Sequence, residues 1–149
     1  MRIPKQVLII PYRIIDNKIE YCIFKRKDMD AWQWIAGGAE DFDKNIIESA
    51  KRELFEETSI KDIQIQQLEM TCKIPVVNVV KDFIWGEDVY YSEEYAFAAN
   101  ITDEKIQLSN EHTEYKWVDY KEAKSLLRYD SNKSALWELD VKLNRNKTI

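Results

Sequence analysis

Four glutamates and one arginine lie close together near the middle of the chain: Glu48, Arg52, Glu53, Glu56 and Glu57. Carboxylates at this spacing repel one another unless a cation offsets their charge. Carboxylate oxygens suit hard ions such as Mg²⁺ and Mn²⁺, and a His/Cys site for zinc is not indicated because the chain has one histidine and two cysteines. Two alternatives follow: a solvated acidic helix face, or a site for a divalent metal ion.

The segment Asn45–Thr58, which carries these side chains, is predicted to be a helix. Its apolar residues form one stripe, as in an amphipathic helix packed against a sheet: Ile46, Ile47, Ala50 and Leu54. Successive helix residues differ by about 100°, so Glu53, Glu56 and Glu57 fall within an arc of about 100° beside that stripe. The three carboxylates are therefore expected where the helix meets the sheet, although acidic helix faces are also common in soluble proteins.

The spacing of residues around this helix resembles the signature of the Nudix hydrolases. That signature is glycine, five residues, glutamate, seven residues, and then Arg-Glu-apolar-any-Glu-Glu-any-Gly-apolar. Seven residues stand in register with it: Gly38, Arg52, Glu53, Leu54, Glu56, Glu57 and Ile60. Trp34 before the two glycines, and Glu111 followed by an aromatic strand and a helix, extend the resemblance over nearly the whole chain.

The resemblance implies an α/β (α+β) fold, an α/β/α sandwich with a mixed sheet and a loop–helix–loop catalytic motif. It also implies the ligands of the metal ion: the backbone carbonyl of Gly37 and the carboxylates of Glu53, Glu56 and Glu57. Glycine lets the backbone approach an ion without a Cβ in the way.

Two further roles follow from the resemblance. Arg52 matches an arginine that orients the glutamates of the motif. Glu111 is a candidate additional ligand or general base, although it could equally be an ordinary loop carboxylate. His112 is a weaker candidate base, and a hydrogen-bonded or exposed loop histidine is the favoured interpretation.

The activity that the resemblance implies is Mg²⁺-dependent hydrolysis of a diphosphate bond, with Mn²⁺ as a possible substitute. Bound cations would offset the charge of the diphosphate and activate a water molecule. The sequence is similar to the dihydroneopterin triphosphate and dATP pyrophosphohydrolase branch through Trp32-Gln33-Trp34, Glu111-His112 and Tyr115-Lys116-Trp117. A nucleoside or pterin triphosphate is therefore the expected substrate, and asymmetrical dinucleoside tetraphosphate hydrolysis is the alternative.

Three residues depart from the family pattern. Lys44 replaces the first glutamate, Asp43 replaces a frequent glycine and Ser59 replaces the late glycine. Ser59 is expected to end the helix in the left-handed conformation that glycine usually takes. Lys44 would either contact the substrate phosphates or lower metal affinity, and Glu40 and Asp41 are near enough to replace the contacts of the missing glutamate. A non-catalytic nucleotide-binding module is the second functional hypothesis.

Other substrate contacts are predicted outside the motif. Trp32 and Trp34 could stack on a base or pterin ring, with core packing as the alternative. Arg26, between Lys25 and Lys27, could bind phosphate, with a solvated strand end as the alternative.

The remaining elements follow from apolar patterning and turn residues. The predicted strands span residues 6–15, 19–27, 31–36, 63–77, 95–101 and 115–118, and the predicted helices that follow span residues 121–128 and 134–143. The segment 78–94 is expected to be a hairpin or a mobile loop. This order predicts a mixed sheet with helices on its faces.

Length and composition predict one soluble domain over residues 1–149, because 45% of the residues are hydrophobic and 33% are charged. The net charge of −5 argues against binding of a nucleic acid polymer. Cys22 and Cys72 are expected to be buried free thiols. No apolar run is long enough to span a membrane, so a cytoplasmic protein, monomeric or homodimeric, is expected.

Overall fold

The computed structural model describes residues 1–110 and 112–146, and these residues form seven strands and three α-helices around one mixed sheet. The strands are β1 Arg2–Ile15, β2 Lys18–Arg26, β3 Trp32–Gln33, β4 Ile35–Glu40, β5 Ile65–Pro75, β6 Tyr91–Asn100 and β7 His112–Val118. The helices are α1 Ile46–Thr58, α2 Tyr120–Leu126 and α3 Asp130–Asn146, with a short 3₁₀ helix at Val76–Asn78.

Strand β1 is the centre of the sheet. The main strand order is β3-β2-β1-β6-β5, with β4 also paired to β1 and β7 to β2. The pairing of β1 with β6 is parallel, whereas the other pairings are antiparallel. One end of β1 therefore lies between β4 and β6, where the helix that follows β4 can pack against the sheet.

The side chains of β1 alternate between two buried layers, as expected for a strand covered on both faces. Val7 and Ile9 pack with α1 in one core cluster. Leu8 and Ile10 pack in a second cluster that includes residues of α2 and α3. The prediction of an α/β/α sandwich with a mixed sheet is confirmed.

Most predicted elements are present with shifted ends, and the largest correction concerns the segment 78–94. Strand β6 begins at Tyr91 rather than at residue 95, because Ser92 and Glu94 pair with β5 and are buried. Polar side chains at buried strand positions do not give the apolar alternation on which strand prediction depends. The strand therefore brings a buried carboxyl group into the sheet that the apolar pattern did not predict.

Both cysteines are free thiols, as predicted, and Cys22 is buried. The prediction of burial is wrong for Cys72, which is half-buried. Within the described part of the chain, none of the helices combines the length and the apolar character needed to cross a membrane.

The end of α1 provides a stability prediction. Ser59 adopts φ 63° and ψ 12°, the left-handed conformation expected for it, and its N–H donates to the carbonyl oxygen of Phe55 at 2.8 Å. Because glycine takes this conformation without a Cβ penalty, Ser59→Gly should raise the free energy of unfolding by about 0.5–1 kcal/mol in urea denaturation.

The matched control is Ser134→Gly inside α3, where glycine should lower the free energy of unfolding by about 0.5 kcal/mol. A Ser59→Gly variant less stable than the parent chain would contradict the proposed strain at this position.

Candidate active site

Helix α1 begins next to strand β4, so its carboxylates lie beside the sheet. The side-chain Oδ1 of Asn45 accepts a hydrogen bond from the backbone N–H of Glu48 at 3.0 Å, which caps the first turn. Ala50 and Leu54 are buried in the core cluster on the α1 face of the sheet. This packing fixes the rotation of the helix and turns Glu53 toward β4.

Glu53 lies directly against the backbone of Gly37. A Cβ added at Gly37 would overlap the carboxyl group of Glu53, so a larger residue at position 37 would displace the end of that side chain from its place against the strand. A Cβ at Gly38 would likewise overlap the guanidinium group of Arg2. The two glycines therefore allow a carboxylate and a cation to approach the same strand.

Arg52 connects the residues of the predicted motif. Its Nη1 donates to Glu53 Oε1 at 3.0 Å and to Glu56 Oε1 at 3.3 Å. Its Nη2 donates to the carbonyl oxygen of Gly38 at 2.8 Å. Its Nε and Nη2 donate to the two carboxylate oxygens of Asp43 at 3.1 and 2.9 Å. These contacts fit the predicted role of Arg52 in orienting the glutamates.

Asp43 is the main partner of Arg52, a role that the sequence did not indicate. Its carboxylate also accepts hydrogen bonds from Ser49 Oγ at 2.6 Å and from the backbone N–H of Glu40 at 2.9 Å. The hydrogen bonds from Arg52 lower the pKa of Asp43 to about 2, against the opposing effect of burial. Asp41 does not take the place of the missing glutamate, since it pairs with the N-terminal amino group at 2.8 Å. Glu40 lines the cavity, and its replacement of that glutamate stays a prediction.

Lys44 is exposed and lies away from the cavity that Glu53 and Glu56 line. It lines a depression on the outer side of the motif together with Asp43, Glu48 and Arg52, among others. Glu53 and Glu56 are not among the residues that line this depression. The predicted contact of Lys44 with substrate phosphates therefore has no support in its position.

Glu53 and Glu56 form the acidic wall of a cavity of about 1190 Å³. Glu53 is buried, with 8% of its surface exposed, whereas Glu56 is exposed. Burial raises the pKa of Glu53 to about 7, and the nearby carboxylate of Glu56 adds to the increase. A buried carboxyl group beside a second carboxylate at a cavity wall is a site that a cation would stabilise.

Glu57 is held by groups behind the cavity wall. It is buried and accepts hydrogen bonds at 2.6 Å from Ser109 Oγ and from His112 Nδ1. A carboxylate can only accept, so Nδ1 carries the proton in this pair. His112 is hydrogen-bonded, as the favoured interpretation had it, but it is buried at the start of β7 rather than exposed in a loop. Its buried Nε2 has no hydrogen-bond partner within the described residues, and the ring lines the cavity.

The donor set fits a hard cation with an incomplete protein ligand shell. In residues 1–110 and 112–146, no group of three His, Cys, Asp or Glu side chains is gathered closely enough to hold a metal ion alone. Gly37, Glu53 and Glu56 line the cavity, and the Glu53 carboxyl group lies against Gly37. Mg²⁺ keeps several waters and binds through one or two carboxylates together with substrate phosphates, so two carboxylates at the wall are enough oxygen donors for such an ion.

The other predicted substrate contacts have different positions. Arg26 lines the cavity, where it forms a two-bond ion pair with Asp28 at 2.8 and 2.5 Å. Trp32 is half-buried, is not among the cavity-lining residues, and has the Lys116 ammonium 5.3 Å from its ring centre. Glu111 lies outside the described residues.

Trp34 is part of the core and does not line the cavity. It is fully buried, and its indole N–H donates to the backbone carbonyl oxygen of Asn132 at 2.9 Å. The prediction that its ring stacks on a ligand is therefore corrected: the ring has no exposed surface and packs in a core cluster with residues of the sheet and of α3. This contact joins the start of α3 to the strand that leads into the glycines.

Several cavity residues were not identified from the sequence. Four are polar or charged side chains on strands of the sheet: Arg2, Gln6, Cys72 and Glu94. Arg2 Nε is buried without a hydrogen-bond partner among the residues that the structure describes. Ser92, Glu94 and Ala96 occupy one face of a strand, but two of these side chains are polar, so the apolar pattern of the sequence gives no signal for Glu94. The sequence gives no signal for Arg2 either.

Comparison with known proteins gives a match to one family over most of the chain. The model of the NUDIX domain matches residues 9–137. A candidate NUDIX hydrolase from Listeria monocytogenes, solved by crystallography, is 38% identical, with a TM-score of 0.86 and coverage of 97% of each chain.

One curated relative and two further solved structures carry more specific names. Dihydroneopterin triphosphate diphosphatase of Escherichia coli is 26% identical over 136 residues, which is 89% of each chain. A structure of the E. coli dihydroneopterin triphosphate pyrophosphohydrolase has a TM-score of 0.75 at 23% identity, covering 95% of this chain and 97% of that one. An Ap4A hydrolase complex from C. elegans has a TM-score of 0.73 at 20% identity, covering 95% and 98%. The last two comparisons bear on the fold alone.

Proposed function

The chain belongs to the NUDIX family, and we propose that it hydrolyses a diphosphate bond in a nucleoside or pterin triphosphate with the help of Mg²⁺, or of Mn²⁺ in its place. One observation carries this proposal: Arg52 holds Glu53 and Glu56 together where Glu53 lies against Gly37, at the wall of a large cavity. Arg52 is the one cation paired with three carboxylates among the described contacts, so a further cation would offset the remaining negative charge, and the oxygen donors suit a hard divalent ion and a substrate rich in negative charge.

The contacts suggest a role in metal binding for each residue of the acidic motif. The Gly37 carbonyl, Glu53 and Glu56 would hold the cation at the cavity, and Glu57, linked to His112, would complete the acidic cluster from behind. A bound divalent ion supplies charge neutralisation of the phosphates and an acidified water. Glu111 stays a proposed ligand or base.

Two arginine side chains at the cavity would bind the phosphates of the substrate. Arg2 lines the cavity beside Gly38, and Arg26 lines it with its charge offset by Asp28. An unpaired guanidinium N–H group is a suitable donor to a phosphate oxygen, so we assign Arg2 the stronger role in binding phosphate.

The similarity to dihydroneopterin triphosphate diphosphatase supports a pterin or nucleoside triphosphate as the substrate. Cleavage between the α- and β-phosphates of such a molecule releases pyrophosphate and leaves a monophosphate. A dinucleoside tetraphosphate remains the alternative substrate, and it would give a nucleoside triphosphate and a monophosphate when cleaved asymmetrically.

The non-catalytic alternative depended on Lys44 in place of the first glutamate of the motif. The contacts of Asp43 weaken that argument, because Arg52 already has a carboxylate partner from the adjacent position. The exposed position of Lys44 leaves the acidic wall unchanged. Catalysis is therefore the better supported of the two hypotheses.

A substrate panel tests the proposed function. The purified chain is incubated with Mg²⁺ and with each of dihydroneopterin triphosphate, dATP, dGTP and diadenosine tetraphosphate, and the products are separated by ion-exchange chromatography. We expect pyrophosphate and a monophosphate from at least one triphosphate. Tight binding without turnover of any compound would instead support a binding module.

A further inference from the structure

Arg2 brings a cation to the cavity that has no partner among the residues that the structure describes. None of its three side-chain nitrogen atoms makes a hydrogen bond there, and it forms no salt bridge with a described carboxylate. Its Nε is fully buried, and the residue as a whole is partly buried. Arginine is seldom buried without an ion-pair partner, because desolvation of its charge is unfavourable. An anionic ligand in the cavity, which Arg2 lines, would offset this effect.

The guanidinium group of Arg2 and the carboxyl group of Glu53 lie against adjacent residues of strand β4. The Glu53 carboxyl group occupies the space into which a side chain of residue 37 would project, and the Arg2 guanidinium group occupies the corresponding space at residue 38. Consecutive Cα atoms are about 3.8 Å apart, and successive side chains of a strand project to opposite faces. Both residues line the same cavity. One polyphosphate chain could therefore contact a cation held at Glu53 and also contact Arg2.

The pairing of β1 with β4 indicates which part of a substrate Arg2 would contact. Leu8 on β1 is opposite Ala36 on β4, and both residues line the cavity. Arg2 is opposite Glu40, on the other side of Gly38 along the strand. An apolar wall suits the ring of a nucleoside or a pterin, whereas a guanidinium group suits a phosphate. A substrate with its ring beside Leu8 and Ala36 would extend its phosphates past the acidic wall to Arg2.

Trp85 holds the end of β1 that carries Arg2. Its indole Nε1 donates a hydrogen bond to the backbone carbonyl oxygen of Arg2 at 2.7 Å. Trp85 lies in the connection between β5 and β6, and two other residues of this connection, Asn78 and Val79, line the cavity. The connection is therefore attached to the strand beside the cavity through one side-chain hydrogen bond. Loss of that bond would free the backbone from which the Arg2 side chain extends.

We propose that Arg2 makes the site specific for triphosphates over diphosphates: its guanidinium group binds the terminal phosphate, beyond the bond that is cleaved, and Trp85 is its positioning residue. The inference deepens the proposed function, on which it rests for the place of cleavage at the acidic wall. A triphosphate cleaved between its α- and β-phosphates releases pyrophosphate, whose outer phosphate stays in contact with Arg2. A diphosphate has no phosphate at that position.

The test compares the parent chain with Arg2→Gln on the best triphosphate of the panel and on the corresponding diphosphate, with Mg²⁺ present. For the triphosphate, kcat/KM should fall about 10-fold, because a charge-assisted hydrogen bond to phosphate is lost. For the diphosphate it should change by less than about 3-fold. Mg²⁺ affinity, measured by calorimetry, should not fall, because removing one cation does not weaken the binding of another through charge. Equal losses on both substrates would overturn the proposal.

Trp85→Phe tests the positioning role, since it removes the indole N–H and keeps an aromatic ring. It should lower the preference for the triphosphate by about 3-fold, in the same direction as Arg2→Gln. The matched controls are Lys5→Gln, an exposed cation on β1 outside the cavity lining, and Trp137→Phe, an exposed tryptophan on α3. Both should leave the preference unchanged. A Trp85→Phe variant that loses stability but keeps the preference would refute the positioning role.

A binding measurement separates this proposal from the proposed function. Imidodiphosphate has the shape of pyrophosphate but resists hydrolysis, so its binding in the presence of Mg²⁺ can be followed by calorimetry even in a chain that hydrolyses nothing. We expect Arg2→Gln to bind imidodiphosphate about 10-fold more weakly than the parent chain, and Lys5→Gln to bind it as the parent does. Equal binding by the parent chain and Arg2→Gln would refute the role of Arg2, whatever the outcome for hydrolysis.

Discussion

Replacing Glu53 by glutamine is expected to lower kcat/KM for the hydrolysed triphosphate by about 10³-fold, the largest effect of any single change considered. Glu53 joins the Gly37 backbone, the Arg52 guanidinium and the cavity. The neutral amide of the glutamine keeps the shape of the side chain and can accept the hydrogen bond from Arg52, but it lacks the negative charge that binds a divalent cation. Steady-state kinetics at saturating Mg²⁺, with calorimetric titration of Mg²⁺, measure the loss of activity and of metal affinity together.

The control is Glu48→Gln on the same helix, where the side chain is exposed and pairs only with Lys51 at 3.6 Å among the contacts described. It should retain activity within about 2-fold. Folding is checked by thermal unfolding without metal at pH 8. Because the pKa of Glu53 is raised to about 7, its charge opposes folding at that pH, so Glu53→Gln should be no less stable than the parent chain. Full activity in this variant would refute a metal role for Glu53.

Replacing Asp43 by asparagine is expected to give the second largest effect, a fall in kcat/KM of about 10- to 100-fold. Asp43 accepts two hydrogen bonds from Arg52, which in turn bonds Glu53 and Glu56. The amide cannot accept both bonds with the same strength, so the guanidinium and the two glutamates lose their fixed orientation. The loss should appear mainly in kcat, because Asp43 lies outside the cavity lining.

The same variant has a defined dependence of stability on pH. Arg52 lowers the pKa of Asp43 to about 2 from the ordinary value of 3.8, so the ionised form is favoured in the folded state. Its contribution, about 1–2 kcal/mol, is fully present above the unfolded pKa and is lost as the pH falls through the folded pKa. Urea denaturation between pH 5 and about pH 2 should therefore show a shallower loss of stability in Asp43→Asn than in the parent chain.

Lys44→Glu is the control for Asp43, since it restores the usual family residue at the adjacent position. The side chain is exposed and lines the outer depression, so we expect kcat/KM to change by less than about 3-fold. A large gain in Lys44→Glu, together with full activity in Asp43→Asn, would show that the orientation of Arg52 depends on residue 44 rather than on residue 43.

The parts of the fold and the site that the sequence predicted depend on local periodicity. The helix Asn45–Thr58 follows from an apolar stripe, and its observed start at Ile46 lies one residue away. The placement of Glu53 beside the sheet follows from the same stripe, because the rotation of a helix is fixed by its buried face. The left-handed conformation of Ser59 follows from the turn that must end the helix.

The parts that the sequence did not predict depend on contacts between distant segments or on the direction of a loop side chain. Asp43 and Lys44 are neighbours, yet one faces Arg52 and the other faces the outer surface. The path of the loop backbone determines which of the two side chains points toward Arg52. Gln6 and Glu94 are 88 residues apart and meet through the register of a parallel strand pair, which no local pattern encodes.

The position of Trp34 is a second feature that depends on a contact between distant segments of the chain. A tryptophan before two glycines is compatible with either a stacking surface or a core position, and its neighbours in sequence do not distinguish them. The choice is made by Asn132 at the start of α3, which accepts the indole N–H through its backbone and the Trp34 backbone N–H through its side chain at 3.0 Å. A partner about a hundred residues away in the chain thus determines the role of this residue.

The central claim is that the acidic wall formed by Glu53 and Glu56 binds a divalent cation that hydrolysis requires. The most direct measurement is the rate of pyrophosphate release from the best triphosphate of the panel, by protein stripped with EDTA and then titrated with Mg²⁺. We predict no turnover in the stripped protein and a rate that saturates together with Mg²⁺ binding measured on the same sample. Turnover that persists in EDTA, or the absence of turnover at any Mg²⁺ or Mn²⁺ concentration despite ligand binding, would contradict the claim.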